Sequence, residues 1–550
     1  MGAATTAAGP LTLCGLGVSE GIAVAPLFRL AAPDATVPAP AAPPGDRAAE
    51  RTALDRAVAE AQAALERLIA ALDDDAAGAM LEFQAALLED EDLLQPVHDA
   101  IGQGLAAGAA WERALNLEIA AYRDGGDELF AARASDLEDL RGRVLAALAG
   151  DGGAPALPAV PSILLGADLP PSRLLEIDRA LIAGIALGEG SRTSHVALLA
   201  KARGLPLVVG LGELPAGAGC GDATQAILDG GAGLLVLAPA AADLLRAAEA
   251  AGAAAREAAG HAVLAAQPAR TADGEAVRVM LNVDDPAILD SLPVGQCDGI
   301  GLTRTEFLFR DGAPDEARQL AVYAGLLRWA QGRPVTIRTL DAGGDKPMPG
   351  LTIDGEGNPF LGVRGVRLSL RRRALFVTQL RALLRAAAEG PLKIMLPMVT
   401  VPEELAEVRG LLAEAAAALS AAGLPHAMPA LGIMIEVPAA ALSAEDFDAA
   451  FYSIGSNDLI QYATACARDN AALAGLARGD HPGVLRMIAA VVAAGRARGV
   501  EVGVCGDMAS SPAEIGHLLA AGVRSLSVAP AAVGRVKAAI AGWQAPGRGG

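Results

Sequence analysis

The sequence predicts an α/β protein of several domains that ends in a (β/α)8 barrel of the TIM type. The chain has 550 residues, of which 53% are hydrophobic, and is too long to form a single core. After Ala265, short runs of β-forming residues alternate with helix-like segments over the rest of the chain. This regular alternation favours a (β/α)8 barrel, and a doubly wound open sheet is the alternative.

The barrel prediction depends on eight short apolar runs. The predicted strands are Val277–Val283, Gly299–Thr303, Val335–Leu340, Ile394–Met398, Gly432–Ile435, Phe451–Ile454, Val502–Val504 and Leu526–Val528. Helix-like segments such as Glu316–Trp329 and Pro402–Ala422 separate them. Reactive side chains fall at or near the ends of several runs, and barrel enzymes place their active sites at that face.

The segments before the barrel differ in pattern. Leu13–Leu30 predicts a short strand pair. Glu50–Leu148 has apolar residues spaced by three or four and predicts four helices, one of which covers Met80–Ile101. Pro155–Pro239 carries strand-like runs separated by Gly and Asp and predicts a compact α/β unit, while the Ala-rich Ala240–Ala259 predicts a linker helix.

Composition excludes some classes of protein. The net charge of -20 argues against binding to nucleic acids or to anionic membranes, since either needs a basic surface. Five cysteines are scattered without the close pairs that mark zinc or redox sites, which favours a reduced, cytoplasmic setting. No charge-poor apolar run reaches the ~18 residues that a spanning helix needs. We therefore expect a cytoplasmic protein with no membrane insertion.

Three arginines lie at or near predicted strand ends: Arg304, Arg338 and Arg364. Guanidinium groups pair bidentately with carboxylates and phosphates, so their convergence would indicate a doubly anionic ligand. Each one alone could equally be a surface ion-pair residue.

Two carboxylates follow apolar runs in the same region. Glu436 and Asp458 could together hold one Mg²⁺ while a substrate phosphate and water complete its coordination, although each could instead cap the helix behind it. The Gly343–Lys346 turn adds a flexible, cationic loop that could approach a phosphate. Taken alone, the position of Cys505 predicts only a small, buried hydrophobic residue.

His195 is the candidate nucleophile. It follows the Gly190–Ser194 loop and precedes a helical run, so it should lie at a helix N-terminus, where free N–H groups stabilise a phosphate. Histidine is a competent nucleophile near neutral pH, and its phosphoramidate can pass the group on. The alternative is a structural histidine.

Together these segments resemble enzyme I of the bacterial phosphoenolpyruvate:sugar phosphotransferase system over nearly the whole chain. The motifs that carry the resemblance are Thr193-Ser194-His195, Gly301–Phe307, Gly343–Lys346, Asn358–Gly362, Gly455–Leu459 with Gln461-Tyr462, and Cys505-Gly506.

The resemblance implies a phosphoenolpyruvate-protein phosphotransferase. His195 would take the phosphoryl group from phosphoenolpyruvate and pass it to a histidine of the carrier protein HPr, with release of pyruvate. Glu436 and Asp458 would be the Mg²⁺ ligands, and Cys505 the acid that protonates the enolate carbon. The residues that would hold phosphoenolpyruvate are Arg304, Arg338, Lys346, Arg364, Asn457, Asp458 and Arg468.

The resemblance also implies an architecture. Residues 1–30 and 152–240 would form an α/β phosphohistidine domain, and residues 48–150 an inserted helical subdomain that docks HPr. Residues 240–260 would be a linker helix about which the histidine domain swivels, and residues 265–550 a phosphoenolpyruvate-binding barrel that forms a homodimer.

The sequence departs from the family pattern at two places. Pro170 stands where family members commonly have a threonine that orients the histidine, and Ala467 stands where an aspartate usually precedes the arginine at 468. Pyruvate phosphate dikinase and phosphoenolpyruvate synthase are alternatives, but they need an ATP-grasp domain, and the segment before His195 is short and mostly helical. A catalytically idle docking or regulatory protein that has kept the fold is a further alternative.

Overall fold

The structure is a computed structural model that divides into two compact units, Met1–Arg256 and Glu257–Gly550. The residues that it describes are 10–30, 47–70, 75–124, 128–150, 157–191, 194–215, 224–309, 312–344, 348, 350–353, 355–467, 473 and 475–545.

The first unit contains a mixed β-sheet. Its strands are β1 (Leu11–Cys14), β2 (Leu16–Ser19), β3 (Ile22–Arg29), β4 (Ser162–Gly166), β5 (Ile182–Leu187), β6 (Leu207–Val209), β7 (Gln225–Asp229) and β8 (Leu234–Leu237). Their order is β1-β8-β7-β3-β4-β5-β6-β2, with β3 to β6 parallel. Every residue of β4 is buried, as expected for a central parallel strand covered on both faces.

The segment Leu13–Leu30 contains strands as predicted, but they do not pair with each other: β2 pairs with β6, and β3 lies between β7 and β4. β1 and β2 lie at opposite edges of this sheet. β1 is antiparallel to β8, and β2 is antiparallel to β6. Gly15 separates them, and a Cβ there would lie 2.4 Å from the carbonyl oxygen of Val209. The chain can therefore change partners at Gly15 only with a residue that lacks a side chain.

Helices are inserted between β3 and β4. They are α1 (Arg47–Ala70), α2 (Asp75–Leu87), α3 (Glu91–Gly102), α4 (Ala107–Asp124) and α5 (Glu128–Ala149). The single helix predicted over Met80–Ile101 is wrong. The helix ends at Leu87, and Asp90 caps a new helix by accepting a hydrogen bond from the Asp92 N–H at 2.9 Å.

Three further helices belong to the region after β4: α6 (Pro171–Glu176), α7 (His195–Ala202) and α8 (Ala241–Ala265). In α8, all of which the structure describes, Ala265 is the only buried residue. The Ala265 carbonyl accepts a hydrogen bond from Lys537 Nζ at 2.8 Å, so the end of α8, which belongs to the second unit, is fixed within that unit.

The second unit is a closed, all-parallel barrel. Its strands are β9 (Arg278–Val283), β10 (Ile300–Thr303), β11 (Val335–Arg338), β12 (Leu392–Leu396), β13 (Ala430–Ile435), β14 (Phe451–Gly455), β15 (Glu501–Cys505) and β16 (Ser525–Val528). β16 pairs with β9, which closes the barrel and confirms the (β/α)8 prediction over the open sheet.

Helices surround the barrel and bury its outer face. They are α9 (Glu316–Ala330), α10 (Val366–Arg371), α11 (Arg373–Ala386), α12 (Pro402–Ala421), α13 (Pro438–Leu442), α14 (Ser456–Thr464), α15 (Pro482–Arg498), α16 (Asp507–Ser510), α17 (Pro512–Ala520) and α18 (Val533–Gly542). One continuous hydrophobic core joins the strands to these helices. Within the described part of the chain, no helix has the length and apolar character needed to cross a membrane.

Candidate active site at the barrel mouth

The carboxyl ends of the barrel strands bring together the charged residues predicted from the sequence. Arg338 and Cys505 are the last residues of β11 and β15, Glu436 follows β13, and Asp458 lies in the first turn of α14. All four are buried. Because parallel strands end at one face, these side chains gather at one mouth of the barrel.

Two arginines of this mouth share one carboxylate. Asp341 accepts from Arg338 Nη1 at 3.0 Å and from Arg364 Nη2 at 2.9 Å. Arg364 also donates from Nη1 to Asp458 Oδ1 at 3.1 Å, which extends the series of ion pairs to α14. Arg338 donates from Nη2 to Glu306. The ion pairs therefore form a continuous network with side chains exposed by only 1–12%.

Charge balance inside the network favours the ionised arginines. Burial alone would lower the pKa of Arg338 and Arg364, but the carboxylates around them outweigh it and raise both pKa values above the ordinary one. Each guanidinium therefore stays charged inside the network.

The surroundings of Glu436 disfavour its ionised form. Burial, Asp458 and Asp341 raise its pKa to about 8 against the opposing effect of the arginines. Its Oε1 accepts from the Met398 N–H at 2.7 Å. A buried carboxylate beside other carboxylates is stabilised by a cation, so the donor chemistry here fits a divalent metal.

The number of protein ligands also bears on the choice of metal. Among the residues that the structure describes, no group of three or more His, Cys, Asp or Glu side chains is arranged to hold a metal ion. One or two carboxylates, with waters and substrate phosphate supplying the other ligands, are the typical protein contribution to a Mg²⁺ site. Glu436 and Asp458 fit that pattern.

Arg304 lies at the rim of the mouth. Its side chain is 32% exposed, and Nη1 donates to both oxygens of Asp284 at 2.8 and 2.9 Å. The predicted set of arginines therefore contains two that are buried in the network and one that remains accessible to solvent.

Cys505 lies in a dry environment inside the barrel. Ser453 Oγ donates to its Sγ at 3.4 Å, and the thiol lies 3.5 Å from the Ile454 carbonyl. Burial raises the pKa of the thiol more than the Ser453 hydrogen bond lowers it, so the thiol is protonated at neutral pH. Asn457 lies nearby in sequence and accepts from the Asp507 N–H at 2.9 Å.

In the first unit, His195 is the first residue of α7. Ser194 caps this helix, with its Oγ accepting from the Ala197 N–H at 3.3 Å and donating to the Ser191 carbonyl at 3.2 Å. His195 thus lies at the amino end of a helix, as its sequence context predicted. Lys346 and Arg468, both predicted to bind substrate, lie outside the described residues.

Comparison with protein families covers most of the chain. Residues 258–545 match the PEP-binding domain of PEP-utilising enzymes, residues 158–233 match their mobile domain, and residues 14–133 match their N-terminal domain. The chain belongs to the PEP-utilising enzymes.

Several members of this family are similar over almost the whole chain. A phosphoenolpyruvate-protein phosphotransferase from Geobacillus stearothermophilus is 36% identical, with 95% of this chain and 91% of the relative covered. One from Haloferax volcanii is 38% identical, with coverage of 96% and 94%. A multiphosphoryl transfer protein from Rhodobacter capsulatus is 39% identical over 96% of this chain, and the chain spans 64% of that relative's length.

The structure of this PEP-utilising enzyme adds three polar residues to the mouth. Asp341 lies just past a predicted strand and Glu306 within the Gly301–Phe307 motif, and no role was predicted for either from the sequence. Tyr462 Oη donates to the Phe360 carbonyl at 2.6 Å and accepts from Arg364 Nη1 at 3.4 Å. The three-residue spacing of Arg338 and Asp341 was the available signal, but pairing across strands cannot be seen in a linear pattern.

Proposed function

We propose that this chain is a phosphoenolpyruvate-protein phosphotransferase. It transfers the phosphoryl group of phosphoenolpyruvate to His195 and then to a histidine of an HPr-like carrier, and it releases pyruvate as the first step of a sugar phosphotransferase system. The buried network around Asp341 and Arg364, in the segment that matches a PEP-binding domain, is the observation that carries this proposal.

The substrate is bound by positive charge at the mouth. Arg338 and Arg364 remain ionised inside the network and are positioned by carboxylates, while Arg304 is accessible at the rim. Bidentate pairing with guanidinium groups suits both the carboxylate and the phosphate of phosphoenolpyruvate. The remaining proposed contacts come from Lys346, Asn457, Asp458 and Arg468.

Glu436 and Asp458 would hold Mg²⁺. When bound, the cation would neutralise charge on the phosphate, which phosphoryl transfer requires. The raised pKa of Glu436 supports the assignment, because a cation relieves the repulsion that raises it.

The residues named above account for every bond and proton in the proposed transfer. A ring nitrogen of His195 attacks phosphorus, a P–N bond forms, and the P–O bond to the enol oxygen breaks with its electron pair on that oxygen. The resulting enolate takes a proton at its methylene carbon from the Cys505 thiol, which gives pyruvate, and the thiolate regains a proton from solvent. Burial of Cys505 supports this role because it keeps the proton on sulfur until the enolate forms.

Two features of the first unit support the relay to a carrier. The amino end of α7 offers backbone N–H groups that stabilise a phosphate on His195. The acidic run Glu89–Asp92 lies at the break between α2 and α3, where it could meet a basic carrier surface.

The domain boundaries remain part of the proposal. Residues 1–30 and 152–240 would be the phosphohistidine domain, and residues 48–150 the carrier-docking subdomain. Residues 240–260 would be the linker helix, and residues 265–550 the barrel domain through which the protein forms a homodimer.

Labelling with ³²P-phosphoenolpyruvate and Mg²⁺ tests the function directly. The intact chain should acquire an acid-labile, base-stable label, His195→Ala should acquire none, and the matched control His426→Ala should be labelled normally. Label that persists in His195→Ala would refute the phosphohistidine. Failure of labelled protein to transfer phosphate to any HPr-like carrier would refute the relay.

A further inference from the structure

A glutamine near the barrel mouth forms hydrogen bonds to the segments that follow β10 and β11, the two strands whose ends carry Arg304 and Arg338. Gln379 lies on α11 and is 1% exposed. Its Oε1 accepts from the Leu340 N–H at 3.1 Å, and its Nε2 donates to Thr305 Oγ1 at 3.4 Å and to Tyr323 Oη at 3.2 Å. One amide therefore satisfies a donor after β11, a hydroxyl after β10 and a hydroxyl on α9.

The two strand ends held in this way contain the charged residues of the mouth. Leu340 directly precedes Asp341, the carboxylate shared by Arg338 and Arg364. Thr305 lies between Arg304 and Glu306 in the sequence. Among the described residues, the Gln379 amide hydrogen-bonds to Leu340, Thr305 and Tyr323 and to none of these charged groups, so its effect on them passes through the backbone and the Thr305 hydroxyl.

A second bond ties the same two strand ends to each other. Thr305 Oγ1 donates to the Arg338 carbonyl at 3.0 Å. The Thr305 hydroxyl is thus both a donor to β11 and an acceptor from Gln379, and a shift of the amide would move both contacts. Gln379 and Thr305 thus link the loops after β10 and β11 by hydrogen bonds.

The surroundings of Gln379 need no polar group for packing. On α11 its neighbours Phe376, Leu380 and Leu383 are buried in the hydrophobic core. An apolar side chain of similar volume would avoid the desolvation cost of an amide, but it would leave the Leu340 N–H buried without an acceptor. The presence of an amide at this buried position is therefore explained by its hydrogen bond to the Leu340 backbone N–H.

We propose that Gln379 is a positioning residue for phosphoenolpyruvate binding. It fixes the loops after β10 and β11 so that the Arg304 and Arg338 guanidinium groups face one ligand. This inference rests on the proposed function, since it concerns the same site.

The α9 branch of the network supplies a matched control. Tyr323 Oη donates to Gln319 Oε1 at 3.1 Å, and Gln319 Nε2 donates to the Pro314 carbonyl at 3.1 Å, away from both strand ends. Tyr323→Phe removes a buried hydrogen bond to Gln379 but leaves the amide's bonds to Leu340 and Thr305. It should lower the melting temperature without changing the site.

The test compares Gln379→Met with Tyr323→Phe in the full chain, by calorimetric melting and by isothermal titration with phosphoenolpyruvate and Mg²⁺. Both variants should melt below wild type, and only Gln379→Met should bind phosphoenolpyruvate about tenfold more weakly. Unchanged affinity in Gln379→Met, or equal weakening in Tyr323→Phe, would overturn the inference.

Two further arms keep the test decisive. If Gln379→Met does not fold, Thr305→Val removes both the amide's bond to the loop after β10 and the Thr305 bond to the Arg338 carbonyl, and it should weaken phosphoenolpyruvate binding. Wild-type affinity in that variant would overturn the inference. If wild type itself neither binds phosphoenolpyruvate nor becomes labelled, the proposed function fails and this inference fails with it. Wild-type binding with an unaffected Gln379→Met refutes this inference alone.

Discussion

Removal of the Arg364 guanidinium should destabilise the barrel strongly. The side chain is 1% exposed and pairs with Asp341 at 2.9 Å and Asp458 at 3.1 Å. Arg364→Met removes one of the two arginines that compensate the buried carboxylates of the mouth, and removing one partner of a buried pair costs about 3–5 kcal/mol. At about 2–4 °C per kcal/mol for a domain of this size, the melting temperature should fall by about 6–20 °C.

The assay is calorimetric unfolding at pH 7.5 without divalent cations, with Arg373→Met as the matched control. Arg373 pairs with Glu414 at 2.7 Å, but the two side chains are 55% and 65% exposed. Loss of such a surface pair should change stability by less than about 1 kcal/mol. If the two variants melt within about 2 °C of each other, the argument from burial is refuted.

The pH dependence of Arg364→Met provides a second check. Arg364 lowers the pKa of Glu436, so its loss should raise that pKa further above the ordinary value. An acid whose pKa is raised by folding costs stability above that pKa, and the cost disappears as the pH falls towards the unfolded value. Below about pH 7 Glu436 stays largely protonated in both folded proteins, so the gap between wild type and Arg364→Met should be nearly constant there. The gap should widen from pH 7.5 to about pH 9.5, and a gap that stays constant over this upper range would contradict the reasoning.

Three other changes give distinct outcomes. The pKa of Glu436 is raised from 4.5 to about 8, so without metal Glu436→Gln should become more stable relative to wild type as the pH rises between these two values. The variant should nevertheless lose phosphoenolpyruvate-dependent phosphorylation. Stability curves that run parallel for the two proteins would contradict the first expectation. Cys505→Ala should slow pyruvate formation, measured with lactate dehydrogenase, by about 10²-fold or more while phosphoenolpyruvate affinity stays nearly constant, and equal rates would exclude the acid role. Asp284→Asn should release Arg304 and tighten phosphoenolpyruvate binding by up to about fivefold in titration calorimetry, whereas weaker binding would show that Asp284 orients Arg304.

The sequence predicted the barrel well because each strand is a short apolar run bounded by turn residues. All eight predicted runs overlap a strand of the described barrel. Closure could not be derived from periodicity, because it depends on the pairing of Leu526 with Val279, which lie far apart in the chain. The break before Asp90 was missed because helix-forming residues lie on both sides of it, while a single capping hydrogen bond from the Asp92 N–H to Asp90 begins a new helix.

The candidate site was predictable as a set of residues and less so as a geometry. Parallel strands carry their carboxyl-end residues to one face, so the convergence of Arg338, Glu436 and Asp458 followed from their positions alone. Burial of Arg338 and Arg364 in one network through Asp341 did not, because it requires contacts across β10, β11 and α14. The catalytic and binding roles of these residues remain predictions.

The α8 helix has a consequence for the lifetime of the intact chain. Isolated helices are marginal in water, and α8 gains almost no support from burial except at Ala265, where Lys537 holds its last turn. Its hydrogen bonds upstream of that point should open at a small fraction of the free energy needed to unfold either unit. Trypsin-like proteases should therefore cleave the peptide bond after Arg256 in the native state, which would separate the unit that contains His195 from the barrel without first unfolding either unit.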